Sequence, residues 1–566
     1  MATQVQGGGG LKKFVSEMKG SNSRMVEMRL VCFTGGVIGT RVLLLNDIDT
    51  QTQVVSLSPF VFLIACLLTL LFSTWLDYFP SRLQDITFRR ANGQSIATGC
   101  LLPASVCCGV FHMAYQHAPN LLGCLSLYLI LLSVLCFVSI LSTVVHAIPY
   151  PNSIVMYNLG TLLICYLIYT YTQVPLLPLL VGVAIYSVLV PSLLYRFPGS
   201  FSIGEVIIVG QGLTLLILDV LLQLASQFKL IKLSPELSFI HRPSVLYVEL
   251  LTFGVLLCVV LLLPVLWKIV SSPAQETRLW SATFLLGSLT IGWLVVLPCL
   301  KALLGGRHPF AVTIYAVVGR QHTLLLTLCW SLLCMGAGLL VCAQTSSSPW
   351  LMALKSNKPS SLWMRKWFHV LAFLVYAVGV AVDADFLGLA AAHMTFVFLV
   401  LELMRVLLMW PIGQWLHDVL EPFLDARDSG PLVLTHLYLL LGFSIPVWLY
   451  PLSYSGAAAS KLALYAGVVS LGVGDSIASV AGKLMGKHKW PGTQKTLEGS
   501  LMAFFMQMIT IAMVIFIDPG LNSFSYVQWI VVGVSVTMTT LLEAYTQQID
   551  NLILGPFLFT LLIAFL

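Results

Sequence analysis

Near the C-terminal end, the stretch "GDSIASVAGKLMGKHKWPGTQKTLEGS" (474–500) gathers charged and hydroxylated side chains between apolar flanks. Asp475, Ser479, Lys483 and Lys487 recur every fourth residue, a spacing that stacks side chains on one face of an α-helix. Beside them Gly474, Ala478, Gly482 and Gly486 make a row with almost no side chain, which lets two helix backbones approach closely. Close packing explains the small row but has no use for the polar one. An aspartate followed by lysines at the end of an apolar segment suits a divalent cation and phosphates, because Mg²⁺ takes one or two carboxylates plus phosphate oxygens. Asp475 is the expected metal ligand. Further on, Trp490-Pro491-Gly492 cannot continue a helix, since Pro lacks a donor and Gly permits positive φ, so a turn is expected. Lys487, Lys489 and Lys495 flank that turn, and free backbone N–H groups would add donors, which together describe a polyphosphate cradle. The competing explanation is a basic loop that only fixes membrane topology; Thr496 and Glu498 add acceptors and donors beyond that need. The P-loop pattern is absent, because Gly482-Lys483 is followed by leucine and residue 477 is isoleucine. Any nucleotide site here is built on helix ends.

Other ionisable residues are spread along the chain. Glu543 and Asp550 are seven apart and share a face if one helix runs through both. Either of them, Glu498 or Asp475 could orient an acceptor hydroxyl, or Glu543 or Asp550 could add a second carboxylate for the metal. "RKWFH" (365–369) opens an apolar segment: snorkelling explains Arg365 and Lys366, while His369, one turn further in, is a candidate for an additional site. Glu402 and Arg405 read as an ion pair inside a span, either functional or orienting two helices. Asp425, Arg427 and Asp428 read as solvated charges of a link. Glu205 and Asp219 lie in apolar sequence, where a neutral or paired form is expected. Asp383 and Asp385 receive no catalytic role.

The elements that must position these residues are membrane helices. The 566-residue chain is 58% hydrophobic and 9% charged, with mean hydropathy +0.93. Soluble domains carry about 25% charged residues, so this surface cannot face water. Apolar runs such as 54–76, 121–145, 245–270, 322–343 and 386–409 meet the length for crossing a bilayer. The expected fold is all-α, a polytopic integral membrane protein with about 15 transmembrane helices. Residues 1–24 read as a flexible polar tail, without the apolar stretch of a cleavable signal. Residues 25–350 form an N-terminal transmembrane region, and 355–566 a C-terminal region in which polar clusters recur. The positive-inside rule puts the Lys355–Lys366 link in the cytoplasm. Counting spans from there brings 410–431, 474–500 and 544–551 to the same side, as an assembled site requires. Thirteen cysteines, none in a C-x-x-C pair, read as small buried hydrophobes. The formal charge of +6 comes without a basic run that would suggest nucleic acid.

The 474–500 string closely resembles the signature of the dolichol kinases, within the wider group of CTP-dependent polyprenol and phytol kinases. "LLEAYTQQIDNLILGP" (541–556) resembles the group's C-terminal motif, with Gly555 an extra residue before the proline, and "RKWFH" resembles its Arg-Lys-x-x-His element. "FPGSFSIGE" (197–205) adds to the likeness, which otherwise covers roughly 355–566. The resemblance implies phosphoryl transfer from CTP to the terminal hydroxyl of dolichol or a related polyprenol, at the endoplasmic reticulum membrane with the site facing the cytosol. Dolichyl phosphate, the lipid carrier for N-glycan precursors and mannosyl donors, would be the product. It also implies a CTP-binding loop comprising Gly486, Lys487, Lys489, Trp490, Pro491, Gly492, Thr493, Gln494, Lys495, Thr496, Glu498, Gly499 and Ser500, with Lys483 beside it. Mg²⁺ at Asp475 would bridge the β- and γ-phosphates. A cytidylyltransferase making a CDP-lipid would use similar groups and stays open. A transporter accounts for the span count, but its sites usually lie near the midplane between two related halves, whereas these halves are dissimilar.

Overall fold

The computed structural model describes residues 26–27, 29–43, 53–78, 96–117, 122–147, 153–172, 174–230, 242–345, 361–420, 430–450, 458–518, 521, 524–546 and 549–566. The expected N-terminal tail, Arg427 and the carboxylates Asp425 and Asp428 lie outside these. Among the described residues there is no β-strand, only an isolated antiparallel bridge between Lys489 and Thr496. Among the described residues, eleven helices are long and apolar enough to cross a membrane, and shorter apolar helices such as Thr435–Leu449 and Asp550–Phe565 accompany them. The chain is an all-α polytopic membrane protein. Two expected spans take another form. The run 245–270 divides at Leu262 into Pro243–Leu261 and Leu263–Ser271. The run 456–473 becomes a 3₁₀ segment, Ala458–Tyr465, and a π-helix, Val468–Asp475; the apolar span there is Val468–Met485.

The chain forms two compact units, residues 1–212 with 455–566, and residues 213–454. The region expected at 355–566 is thus shared between them. Five helices matter below: α1 (Ile203–Gln227), α2 (Ser476–Met485), α3 (Leu497–Ile517), α4 (Tyr526–Tyr545) and α5 (Asp550–Phe565). In the first unit, α5 is apolar around its whole circumference and is buried from Asp550 to Ala564, the arrangement such a helix requires. It packs on Ile96–His117, α4 and the π-helix. Its C-terminal end is held by Arg41, which donates to the Ala564 carbonyl at 2.7 Å and lies 5.4 Å from the Phe565 ring centre. A cation there complements the negative end of the helix.

In the second unit, Ala384–Val406 packs on Pro243–Leu261. The Glu402–Arg405 pair serves structure here. Arg405 grips Glu402 through two bonds of 2.8 and 2.7 Å and donates to the Pro431 carbonyl at 2.6 Å. Glu402 in turn accepts the Val433 N–H at 2.6 Å, so the pair pins the link before Thr435–Leu449.

Candidate active site

The polar stretch folds as helix, hairpin and helix. The π-helix Val468–Asp475 delivers Asp475, buried, to the first turn of α2. π-Turns are rare and recur at functional sites. The Asp475 row is a true α-helical face only as far as Lys483: Ser479 donates to Asp475 at 3.4 Å, but Gly486 is extended (φ −66°, ψ 117°), so Lys487 has already left the helix. The small row does pack, against α3. A Cβ on Gly499 would sit 2.6 Å from the Ala478 carbonyl and 3.2 Å from Gly482 Cα, and one on Gly474 would sit 2.8 Å from Gln507.

Residues 487–496 form a short hairpin. The Trp490 N–H bonds to the Lys495 carbonyl at 2.9 Å, and the Leu497 N–H to that of His488 at 2.8 Å. The Thr493 N–H closes the turn on the Trp490 carbonyl at 3.1 Å, with Pro491 and then Gly492 (φ 79°) in the middle. Pro followed by a positive-φ Gly is the signature of a type II turn. Thr496 caps α3 by accepting the Gly499 N–H at 3.2 Å. Trp490 anchors the hairpin, donating to Ser500 at 3.0 Å and packing its ring 5.6 Å from that of Tyr545. The hairpin satisfies its own donors at Trp490, Thr493 and Lys495, and the Leu497 N–H is likewise bonded, so these groups do not contribute to the expected cradle. Lysines face outward here: Lys483 on α2 and Lys487 and Lys489 on the hairpin are exposed, and Lys489 bonds to Gln494 at 2.8 Å.

Behind the hairpin, three carboxylates converge. Asp475, Glu543 and Asp550 are all buried, and one oxygen from each lies within 4.8 Å of the others. Glu543 and Asp550 do not share a continuous helix. Helix α4 stops at Tyr545 and α5 starts at Asp550; Thr546 (φ −65°, ψ 136°) and Ile549 (φ −70°, ψ 114°) are extended. The interruption, rather than a common helix face, brings the two acids together. Lys495 reaches in from the hairpin, ion-paired with Glu543 and, at 3.1 Å, with Asp550. Burial acts to lower the lysine pKa, but Asp550, Glu543 and Asp475 outweigh it, holding the ammonium above the usual lysine range.

Among the described residues, Glu543 Oε2 is buried without a hydrogen-bond partner. Three hard oxygen donors, one of them so placed, fit a divalent cation such as Mg²⁺. Glu498 stands apart from this cluster. It accepts the His488 N–H at 3.1 Å and pairs with the His488 ring at 2.7 Å, bracing the hairpin on α3. Lys366 and His369 belong to the second unit, on Ser361–Val382, where His369 is buried; of that helix's Arg365 the side chain lies outside the described residues. Two acids that the residue patterns did not assign to the site stand next to the helix interruption. Glu205 accepts the Ile549 N–H at 3.1 Å, and Glu27 the Thr546 hydroxyl at 3.2 Å. The available signal for Glu27 was a lone acid opening an apolar helix.

A sequence model of the dolichol kinase family matches residues 128–485. The match begins well before the region whose motifs carry the likeness and ends just short of the hairpin. Among curated proteins, the chain is 39% identical over 299 residues to a dolichol kinase of Mus musculus, covering 51% of this chain and 54% of that one. To the dolichol kinase of Homo sapiens it is 40% identical over 275 residues, covering 48% and 50%. To dolichol kinase sec59 of Schizosaccharomyces pombe it is 32% identical over 235 residues, covering 41% and 45%. The chain spans about half the length of the curated relatives it matches. No solved structure matches it.

Proposed function

Because the chain belongs to the dolichol kinase family, we propose that it transfers the γ-phosphoryl group of CTP to the terminal hydroxyl of dolichol, releasing CDP and dolichyl phosphate. The observation that carries this reading is the meeting of three buried carboxylates at one point: Asp475, Glu543 and Asp550 bring one oxygen each within 4.8 Å of the others, with Lys495 paired to two of them, a donor set suited to one divalent cation. Asp475, Glu543 and Asp550 would hold Mg²⁺, which supplies charge neutralisation at the β- and γ-phosphates.

The chain's own residues do the rest. Lys483, Lys487 and Lys489, exposed on α2 and the hairpin, attract and orient the triphosphate. Lys495 keeps Glu543 and Asp550 together and adds positive charge where phosphate oxygens gather. Dolichol approaches through the bilayer. The α3 face below the hairpin is exposed and apolar at Leu501, Phe505, Ile509 and Met513, one residue per turn, as a lipid-facing stripe is. An oxygen of the acidic cluster accepts the proton of the dolichol hydroxyl. The alcohol oxygen attacks the γ-phosphorus in line, the bond to the β–γ bridging oxygen breaks, and CDP carries that oxygen away. The site opens on the cytosolic face of the endoplasmic reticulum.

CTP labelled at the γ-phosphate and CTP labelled at the α-phosphate separate this reaction from CDP-lipid synthesis. After incubation with dolichol and Mg²⁺, extracted lipid is expected to carry the γ-label while the α-label stays in water-soluble CDP. Lipid bearing the α-label would overturn the reading in favour of a cytidylyltransferase.

A further inference from the structure

The interruption between α4 and α5 is what brings Glu543 and Asp550 to one point, and an interruption of this kind exposes polar backbone. The first N–H groups of a helix have no partner within it. In a membrane protein such donors must be met by protein, since hydrocarbon offers no acceptor. The acceptor at the start of α5 is Glu205, which is fully buried. Its Oε1 takes the Ile549 N–H at 3.1 Å, immediately before Asp550. Its Oε2 takes the Ser202 N–H at 3.0 Å, while Ser202 Oγ accepts the Glu205 N–H at 3.2 Å. That reciprocal pair is a capping box at the start of α1. One carboxylate therefore caps two helices, its own and the one that carries Asp550. On the other side of the interruption, Glu27, also fully buried, accepts from Thr546 at 3.2 Å and from Thr98 at 2.8 Å.

A capping box needs only one oxygen of its acid. The second oxygen is committed to a segment more than 340 positions away, where it fixes the backbone on which a cluster carboxylate is mounted. We infer that Glu205 is a positioning residue: through the Ile549 amide it sets the Asp550 carboxylate in the acidic cluster. The inference rests on the metal reading of that cluster. Glutamine at this position would keep one acceptor oxygen and turn an amide donor toward one of the two N–H groups, so the two caps could not both survive.

The test uses the full chain in detergent, with Mn²⁺ alone as the probe, read by electron paramagnetic resonance and paired with melting temperatures. Wild type is expected to bind Mn²⁺ and Asp550→Asn to lose it. Glu205→Gln and Ile549→Pro are each expected to weaken binding about tenfold or more, the scale seen when groups supporting a metal ligand are altered. Proline suits the φ of −70° at Ile549 and removes its N–H together with the buried isoleucine side chain; Ile549→Ala, which keeps the N–H, is the control and should retain near wild-type binding. The double variant should bind no more weakly than the weaker single one. Ser202→Ala disturbs the α1 cap alone and should lower the melting temperature with Mn²⁺ affinity unchanged. Wild-type affinity in folded Glu205→Gln, additive losses in the double variant, or an equal loss in Ser202→Ala would each overturn the inference. If wild type binds no Mn²⁺, the metal reading fails by itself. The positional claim then stands or falls on amide exchange: residues 549–553 should exchange faster in Glu205→Gln, and unchanged exchange overturns it.

Discussion

At the scale of single residues, the cluster sets Lys495 among three acids, and its variants should separate charge from shape. Asp475→Asn and Asp550→Asn preserve volume and one acceptor oxygen but each remove one of the charges that would hold the cation. Turnover is expected to fall about 100-fold or more, roughly 2.7 kcal/mol of transition-state stabilisation, with melting temperature nearly kept. A proportional loss of folded protein would make the effect structural. Lys495 allows a pH test. Its pKa is raised above the usual value by the surrounding carboxylates. A raised pKa contributes stability that is complete below the unfolded lysine's ~10.4 and is lost only as pH climbs through the higher folded value. Without added metal and up to about pH 10, the melting temperature of wild type and of Lys495→Arg, which keeps the charge throughout, should therefore show the same alkaline profile whatever their heights. A limb below pH 10 present only in wild type would place the lysine's titration far lower than its surroundings imply.

At the scale of elements, the close contact of α2 with α3 sets where the hairpin can stand. Gly499→Val would drive a side chain into the Ala478 carbonyl and the Gly482 backbone, whereas a Cβ at Gly533, on α4, meets nothing within 4 Å. The valine variant is expected to lose about 1–3 kcal/mol through overpacking. Gly533→Ala should be neutral or stabilising by up to about 1 kcal/mol, as alanine is the better helix former. Thermal melts of the purified variants in one detergent would rank them, and equal melts would deny the contact. The small row and the Trp490-Pro491-Gly492 turn were legible in sequence because glycine and proline act locally. The π-helix before Asp475 and the interruption before Asp550 were not. Nothing in "AYTQQID" breaks a helix by propensity; the interruption is held by Glu205 and Glu27, acids hundreds of residues away. Sequence thus named all three cluster acids and Lys495, but could not show that they meet or that Glu498 would turn to His488 instead.

At the scale of the whole molecule, the composition required a membrane, and the proposed reaction would require that the end of the first unit bearing the acidic cluster face the compartment containing CTP. Helices α3 and α4 supply the ruler. They run in opposite directions, since Lys495, just before α3, meets Glu543 in the last turn of α4. Helix α3 has 21 residues, about 31 Å at 1.5 Å per residue, enough to cross a hydrocarbon core of about 30 Å. The hairpin and the link that joins α3 to α4 must then lie on opposite faces of the bilayer. Single cysteines at Lys487 and Ser525, in a background without the thirteen native ones, mark the two ends. In sealed microsomes an impermeant thiol reagent is expected to label the cysteine at 487 from outside, the cytosolic side. The one at 525 should label only after the membrane is opened. Labelling of both from the same side would show that α3 does not cross, and labelling of 525 alone would turn the site toward the lumen. Either result would remove the geometry in which a bilayer alcohol and a cytosolic nucleotide meet at Asp475, Glu543 and Asp550.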